Sequence, residues 1–224
     1  MLHRLLAPLF AAVLLTGCAT ASTPKVDIAR ELIGDAIETL YQFRTHKDLR
    51  VHAKYLKDAA AVVIMPDVVK AGWLFAAEGG NGVLLKRLPE GGWSDPSFHT
   101  LAAASFGLQI GVQDTSVVLI IRTEKALNAV LKHQGKIGAD IGATAAYVGA
   151  GMEAATTSNL GADILAFATP VLGAYIGGSL EGSVLVVRRD YNQAVYGAGA
   201  TPDAILSGQL KTDMAAALKN ALGN

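Results

Sequence analysis

Lys47, Arg50, Lys54 and Lys57 recur three, four and three residues apart. On a helix that advances 100° per residue they share a face within about 80° of one another. Such a face suits anionic lipid head groups, at about 1 kcal/mol for each cation close to the surface. Leu49, Ala53 and Leu56 fall on another face, where they can pack. Asp48 and Asp58 dilute the stripe, and a plain solvated helix face is the alternative reading. Lys70 and the pair Lys86-Arg87 are further candidate cations, with ordinary solubilising charge as their alternative. Trp73 and Trp93 belong to a residue type that favours membrane interfaces, but core or turn packing is the preferred reading for both.

Other chemistry finds less support. The histidines (His3, His46, His52, His99 and His133) show no two-histidine ligand spacing and no carboxylate cluster beside them. A single cysteine excludes both a disulfide scaffold and a cysteine-ligated zinc site. Gly178-Ser179-Leu180-Glu181-Gly182 resembles a nucleophile elbow but places its serine wrongly, and a hairpin turn explains it. Gly149-Ala150-Gly151-Met152-Glu153-Ala154 fits the loose dinucleotide pattern G-x-G-x-x-A, yet the next acid, Asp163, comes too early for a ribose contact. Gly138-x-x-x-Gly142 and Gly173-x-x-x-Gly177 could pack membrane helices, but Glu153 and Asp163 interrupt the candidate span. Nothing here predicts catalysis, a metal or a cofactor.

The elements that would position these residues begin after an address segment. Met1 to Cys18 carries a short basic start (His3, Arg4), an apolar run from Leu5 to Leu15, and Leu15-Thr16-Gly17-Cys18. The run is too short to span a bilayer and reads as a secretory signal. Its end resembles the lipobox of bacterial lipoproteins, which implies cleavage of residues 1–17 and acylation of Cys18. Ala19 after the cysteine resembles the outer-membrane sorting pattern, so the expected location is the cell envelope, facing the periplasm. Residues 18–25 form a tether and residues 26–224 a single domain. No later stretch reads as a convincing transmembrane helix.

Of the 224 residues, 51% are hydrophobic and 17% charged, with 19 basic against 19 acidic side chains. That balance argues against a generally basic nucleic-acid binder and against a disordered tail. The 24 glycines follow no collagen period, so they serve turns, strands or close packing. Thr23-Pro24 predicts a helix start with the threonine as cap, and Ala29, Leu32, Ile33, Ala36, Ile37 and Leu40 give its apolar face. Thr45-His46-Lys47-Asp48 resembles a capping box and predicts a second helix to Asp58. Ala61 to Met65 predicts a strand that Pro66 ends. Trp73 to Ala77 and Val83 to Leu88 predict a hairpin around a loop at Glu78 to Gly82. Pro89 to Gly92 and Asp114-Thr115 are predicted turns. Val117 to Ile121 and Ser183 to Val187 are predicted strands; Glu124 to His133, Pro202 to Ser207 and Thr212 to Leu222 are predicted helices, and Asp190 to Tyr196 a turn or helix. The expected class is α+β: N-terminal helices, a curved, largely antiparallel sheet or barrel-like core, and C-terminal helices.

From Ala59 to Gly197 the chain resembles the SYLF family of lipid-binding domains. The motifs that carry the resemblance are Ala61 to Pro66, Ala71-Gly72-Trp73-Leu74-Phe75 and Gly79-Gly80-Asn81-Gly82-Val83-Leu84. Gly92-Trp93-Ser94-Asp95-Pro96-Ser97, Gly107 to Gly111, Gly138-Ala139-Asp140, Gly177 to Gly182 and Asn192-Gln193-Ala194-Val195-Tyr196-Gly197 follow in family order. The resemblance implies a non-enzymatic phospholipid binder; eukaryotic members take phosphoinositides and some bind actin. For an envelope lipoprotein an anionic phospholipid surface is the expected partner, actin an unsuitable one. A structural lipoprotein that binds another envelope protein is the alternative. Residues 143–155 and 167–173 lack the cations common in relatives, which moves the candidate lipid contacts to Lys47, Arg50, Lys54 and Lys57.

Overall fold

The computed structural model describes residues 23–72, 75–106, 111–132, 137, 145–147, 162–169 and 183–223. Cys18, Trp73, His133, the G-x-G-x-x-A segment, both G-x-x-x-G segments and Gly177 to Gly182 lie outside the described residues.

Two helices lead, α1 (Lys25–Thr45) and α2 (His52–Leu56). Strands β1 (Ala61–Gly72), β2 (Phe75–Lys86), β3 (Ser97–Phe106) and β4 (Gly111–Ile121) follow, then α3 (Glu124–Lys132). The chain continues through β5 (Ala145–Tyr147), β6 (Ile164–Thr169), β7 (Val184–Val187), α4 (Arg189–Tyr196), α5 (Pro202–Leu206), a 3-10 turn at Asp213–Ala215 and α6 (Ala216–Leu222). The strands form one curved sheet in the order β5-β6-β4-β1-β2-β3-β7. Every pairing is antiparallel except β5 with β6. The fold is α+β. Among the described residues the sheet is open, with β5 and β7 as its edges.

Alternation along each strand feeds two cores. Val62, Ile64, Val83, Leu85, Phe98, Val118, Ile120, Leu165 and Phe167 face α1, α4 and α6, packing on Leu32, Ile33, Leu40, Tyr191 and Leu218. Ala61, Val63, Met65, Leu84, Leu101, Val117, Leu119 and Ala166 face the other way, onto Ala126, Leu127 and Val130 of α3 and Leu206 of α5. An antiparallel strand covered on both faces loses its polar side, which is why Ala61 to Met65 and Val117 to Ile121 are continuously apolar.

Several expected boundaries are corrected. Pro66 does not end β1 but lies within it, at a β-bulge: Pro66 and Asp67 together oppose Ser116 of β4, because the register steps from Met65↔Val117 to Val68↔Thr115. A bulge tolerates a residue with no N–H to give. Glu78 to Gly82 is no loop; it is the middle of β2, paired with β3 from Glu78↔Ala103 to Gly82↔His99. Its glycines answer the bulge. A Cβ on Gly82 would come closer than 3.0 Å to the Ile64 carbonyl oxygen and the Met65 sulfur, and one on Gly80 closer than that to the Asp67 carbonyl. Asp114-Thr115 is strand as well, opposite Val69 and Val68. Ser97 to Ala104, for which the sequence carries no strand signal, is paired along its length with β2 as part of β3. Pro24, not Thr23, is the N-cap of α1, and its carbonyl accepts from the N–H of Asp27 and Ile28. The helix expected from Thr45 to Asp58 breaks: Thr45 closes α1 by donating to the Tyr41 and Gln42 carbonyls, and only His52 to Leu56 is α-helical.

The close approach of β1 to β2 yields a prediction. Gly82→Ala should cost about 1–3 kcal/mol in unfolding free energy, as overpacked sites do. Gly79→Ala should cost less, since its Cβ would meet only the Leu101 carbonyl at 3.5 Å. Denaturant midpoints decide; a Gly82→Ala variant as stable as the parent would refute the steric role.

Candidate functional site

Residues 46–58 build a cationic knuckle between α1 and β1. Most of its backbone bonds are short-range: Leu49 N–H to His46 carbonyl at 3.1 Å, His52 N–H to Leu49 carbonyl at 2.9 Å, Lys54 N–H to Val51 carbonyl at 3.0 Å. Bonds of this i→i+3 kind bring residues three apart onto one line. Leu49 and His52 both turn inward, while Lys47 and Arg50 stay exposed. The His46 side chain, through Nδ1, accepts the Asp48 N–H at 3.2 Å and takes the capping role expected of Thr45.

His52 anchors the knuckle. It is fully buried between Phe43 and Phe167, with ring centroids 5.8 and 6.1 Å away. Its Nδ1 lies 2.8 Å from the Leu49 carbonyl, which can only accept, so Nδ1 carries the proton and donates. Burial lowers its pKa below the ordinary histidine value. The spacing Leu49, His52, Leu56 is the apolar rhythm that could have revealed it in the sequence.

Outward, Lys47, Arg50, Lys54 and Lys57 are all exposed, and among the described residues none of the four forms an ion pair. Tyr41, 64% exposed, and Val51, 37% exposed, put apolar surface in the same stretch of chain.

The remaining candidates sit elsewhere or are occupied. Arg87 reaches the knuckle from the end of β2, but inward: its Nη2 donates to the Leu56 carbonyl at 2.9 Å, and its guanidinium stacks 4.1 Å from the Trp93 ring centre. Trp93 is buried and donates from Nε1 to the Gly223 carbonyl at 2.9 Å. Lys86 pairs with Glu124 of α3 at 3.1 Å. Lys70 is only 9% exposed, on β1 beyond the bulge, with Glu78 opposite in register.

The shared motifs hold the fold. Ser94 Oγ accepts the Lys86 N–H at 2.9 Å, and buried Asp95 pairs with Lys219 of α6 at 3.0 Å. Asn192 Oδ1 accepts the Phe98 N–H at 2.9 Å, and the Tyr196 hydroxyl donates to the Pro96 carbonyl at 2.8 Å. Two motifs far apart in sequence are thus one hydrogen-bonded seam. Asn81, amid the β2 glycines, accepts from Arg188 at 2.6 Å.

A second region lies on the opposite sheet face. A cavity of about 470 Å³ opens between α3 and the edge strand β7, and His99 lines it. That histidine is 1% exposed, and burial pushes its pKa down to about 4. Its Nε2 lies 3.0 Å from Ser97 Oγ, while Nδ1 has no partner among the described residues. An unmet buried polar atom costs about 1–3 kcal/mol. Nothing in the sequence marked His99.

Among the described residues no group of three or more metal-ligating side chains assembles, and no helix is long and apolar enough to cross a membrane.

Residues 102–224 match the Ysc84 family model, described as Las17-binding protein actin regulator. The chain is 36% identical over 163 residues to Protein YSC84 of Saccharomyces cerevisiae, covering 72% of this chain and 35% of that protein. It is 31% identical over 197 residues to LAS seventeen-binding protein 3 of the same yeast, covering 80% and 43%. It is 30% identical over 154 residues to human SH3 domain-containing YSC84-like protein 1, covering 68% and 44%. The chain thus spans less than half the length of these relatives. No solved structure matches it.

The two buried histidines predict an acid-sensitive stability. His99 titrates near 4 when folded and near the ordinary 6.5 when unfolded, so between those values the unfolded chain binds more protons. Stability should therefore fall as pH drops from 6.5 toward 4, by at most about 1.4 kcal/mol per pH unit for each histidine. His52 acts in the same direction. Unfolding midpoints against pH should show a slope that His99→Leu flattens; a slope unchanged by both His99→Leu and His52→Leu would refute it.

Proposed function

The chain belongs to the SYLF (Ysc84) family, and on that premise we propose that it is a non-catalytic domain that binds anionic phospholipid surfaces, held at a bacterial cell envelope by acylated Cys18. The observation that supports this most is the knuckle: four exposed cations that form no ion pair among the described residues, on a segment whose Leu49, His52 and Leu56 are buried beneath them. Each cation near an anionic surface contributes about 1 kcal/mol, so four together are effective where one is not. Lipid anchoring needs two signals, and a basic surface complements an acyl chain. Tyr41 and Val51 add apolar contact at the interface. The sorting pattern after Cys18 places the domain on the outer membrane, facing the periplasm, in this reading.

A second reading is favoured by the relatives' names, which describe binding to another protein. In that reading the domain docks an envelope protein and shows no lipid preference.

Flotation of residues 19–224, unacylated, separates the two. Anionic vesicles should carry the protein, zwitterionic vesicles should not, and salt should weaken the binding. Lys47→Glu with Lys54→Glu should weaken binding at least about tenfold without changing the fold. Equal binding by the double variant, or no binding to either vesicle, would overturn the lipid reading in favour of the protein partner.

A further inference from the structure

The cavity between α3 and β7 has a directional polarity. Antiparallel pairing of β3 with β7 places Ala102 opposite Val184 at one end and His99 opposite Val187 at the other. Arg189, two residues past Val187, also lines the cavity. The polar residues therefore gather at the end where β7 gives way to α4. Among the described residues the other side chains that line it are apolar, among them Val130 and Leu131 from α3 and Val184 from β7. Its volume of about 470 Å³ falls within the range of small-molecule sites, about 300–1,000 Å³.

Two further observations point to a ligand. Buried polar atoms nearly always have partners, yet His99 Nδ1 has none among the described residues. Ser97 engages only the other ring nitrogen, so either tautomer leaves Nδ1 with one hydrogen bond to make. Arg189 is exposed and, among the described residues, forms no ion pair, whereas neighbouring Arg188 is held by Asp190 at 2.9 Å.

We propose that this cavity binds one single-chain amphiphile, with its hydrocarbon chain between α3 and β7 and its anionic head group at Arg189. A neutral imidazole adds no charge, so the preference for an anion comes from Arg189. The hydrocarbon chain meets the valine and leucine walls and replaces water there. The site is separate from the cationic knuckle and does not depend on the surface-binding reading.

Calorimetric titration of the full chain with dodecyl phosphate, dodecanoate and dodecanol, below micelle-forming concentrations, tests it. Saturable one-to-one binding of the two anions is expected, and stronger binding of phosphate or of carboxylate tells a phospholipid-type head from a fatty-acid head. Arg189→Glu should weaken both anions about tenfold and leave dodecanol unchanged. Leu131→Trp, which fills the space, should weaken all three; should it fail to fold, Val186→Trp on the exposed edge serves instead. Absence of one-to-one binding, or binding that neither variant alters, would overturn the proposal. Lys47→Glu with Lys54→Glu should leave these titrations unchanged, and Arg189→Glu should leave vesicle flotation unchanged, so the two readings fail separately.

Discussion

One extra residue in a central strand shapes the sheet. β1 lies between β4 and β2, and the two-residue bulge at Pro66-Asp67 shifts its register against both neighbours. A bulge bends its strand and increases local twist. Here it also divides the sheet. Before it, Ala61 to Met65 are wholly buried between two layers of helices; after it, Asp67 and Val69 meet solvent and Lys70 faces Glu78. The bent backbone lies so close to β2 that Gly80 and Gly82 have no room for a side chain. Part of this chain's glycine content is thus the complement of a single proline.

The cationic knuckle follows from the layer that covers the first half of the sheet. Leu49, His52 and Leu56 reach down to the core beside Phe43 and Phe167, and Arg87 ties the carbonyls at the end of α2. Above those anchors the intervening lysines and arginine are exposed and, among the described residues, form no ion pair. The surface charge is a consequence of burial beneath it. Arg87, adjacent to Lys86 in sequence, has become a structural clamp, since its stacking on Trp93 and its carbonyl contact use the fork that a phosphate would need.

The residues that carry the family resemblance mostly hold the molecule together. Asp95 with Lys219, Asn192 with Phe98, and Tyr196 with Pro96 join the β2–β3 turn to the C-terminal helices.

Much of the plan was legible because local physics wrote it. The apolar spacing of Ala29 to Leu40 fits a helix face, and the continuous apolar run Val117 to Ile121 fits a strand with no wet side. Helices are expected over Pro202 to Ser207 and Thr212 to Leu222, and at those helix starts the structure has Thr201 and Thr212 accepting backbone N–H groups. The α+β class and the exposed positions of Lys47, Arg50, Lys54 and Lys57 needed nothing more. What only the tertiary structure decided were features whose cause lies far away in the chain. Glu78 to Gly82 looks like a turn because glycine ordinarily makes turns; it is strand because β1 bulges against it. Lys70 looks like a surface cation, and strand pairing puts it opposite Glu78. His99 looks ordinary, and it is the sheet order that places it, with an unmet nitrogen, in a cavity closed by α3 and β7. Short-range pattern sets what a segment can form, and long-range packing decides which of its atoms are left to do chemistry.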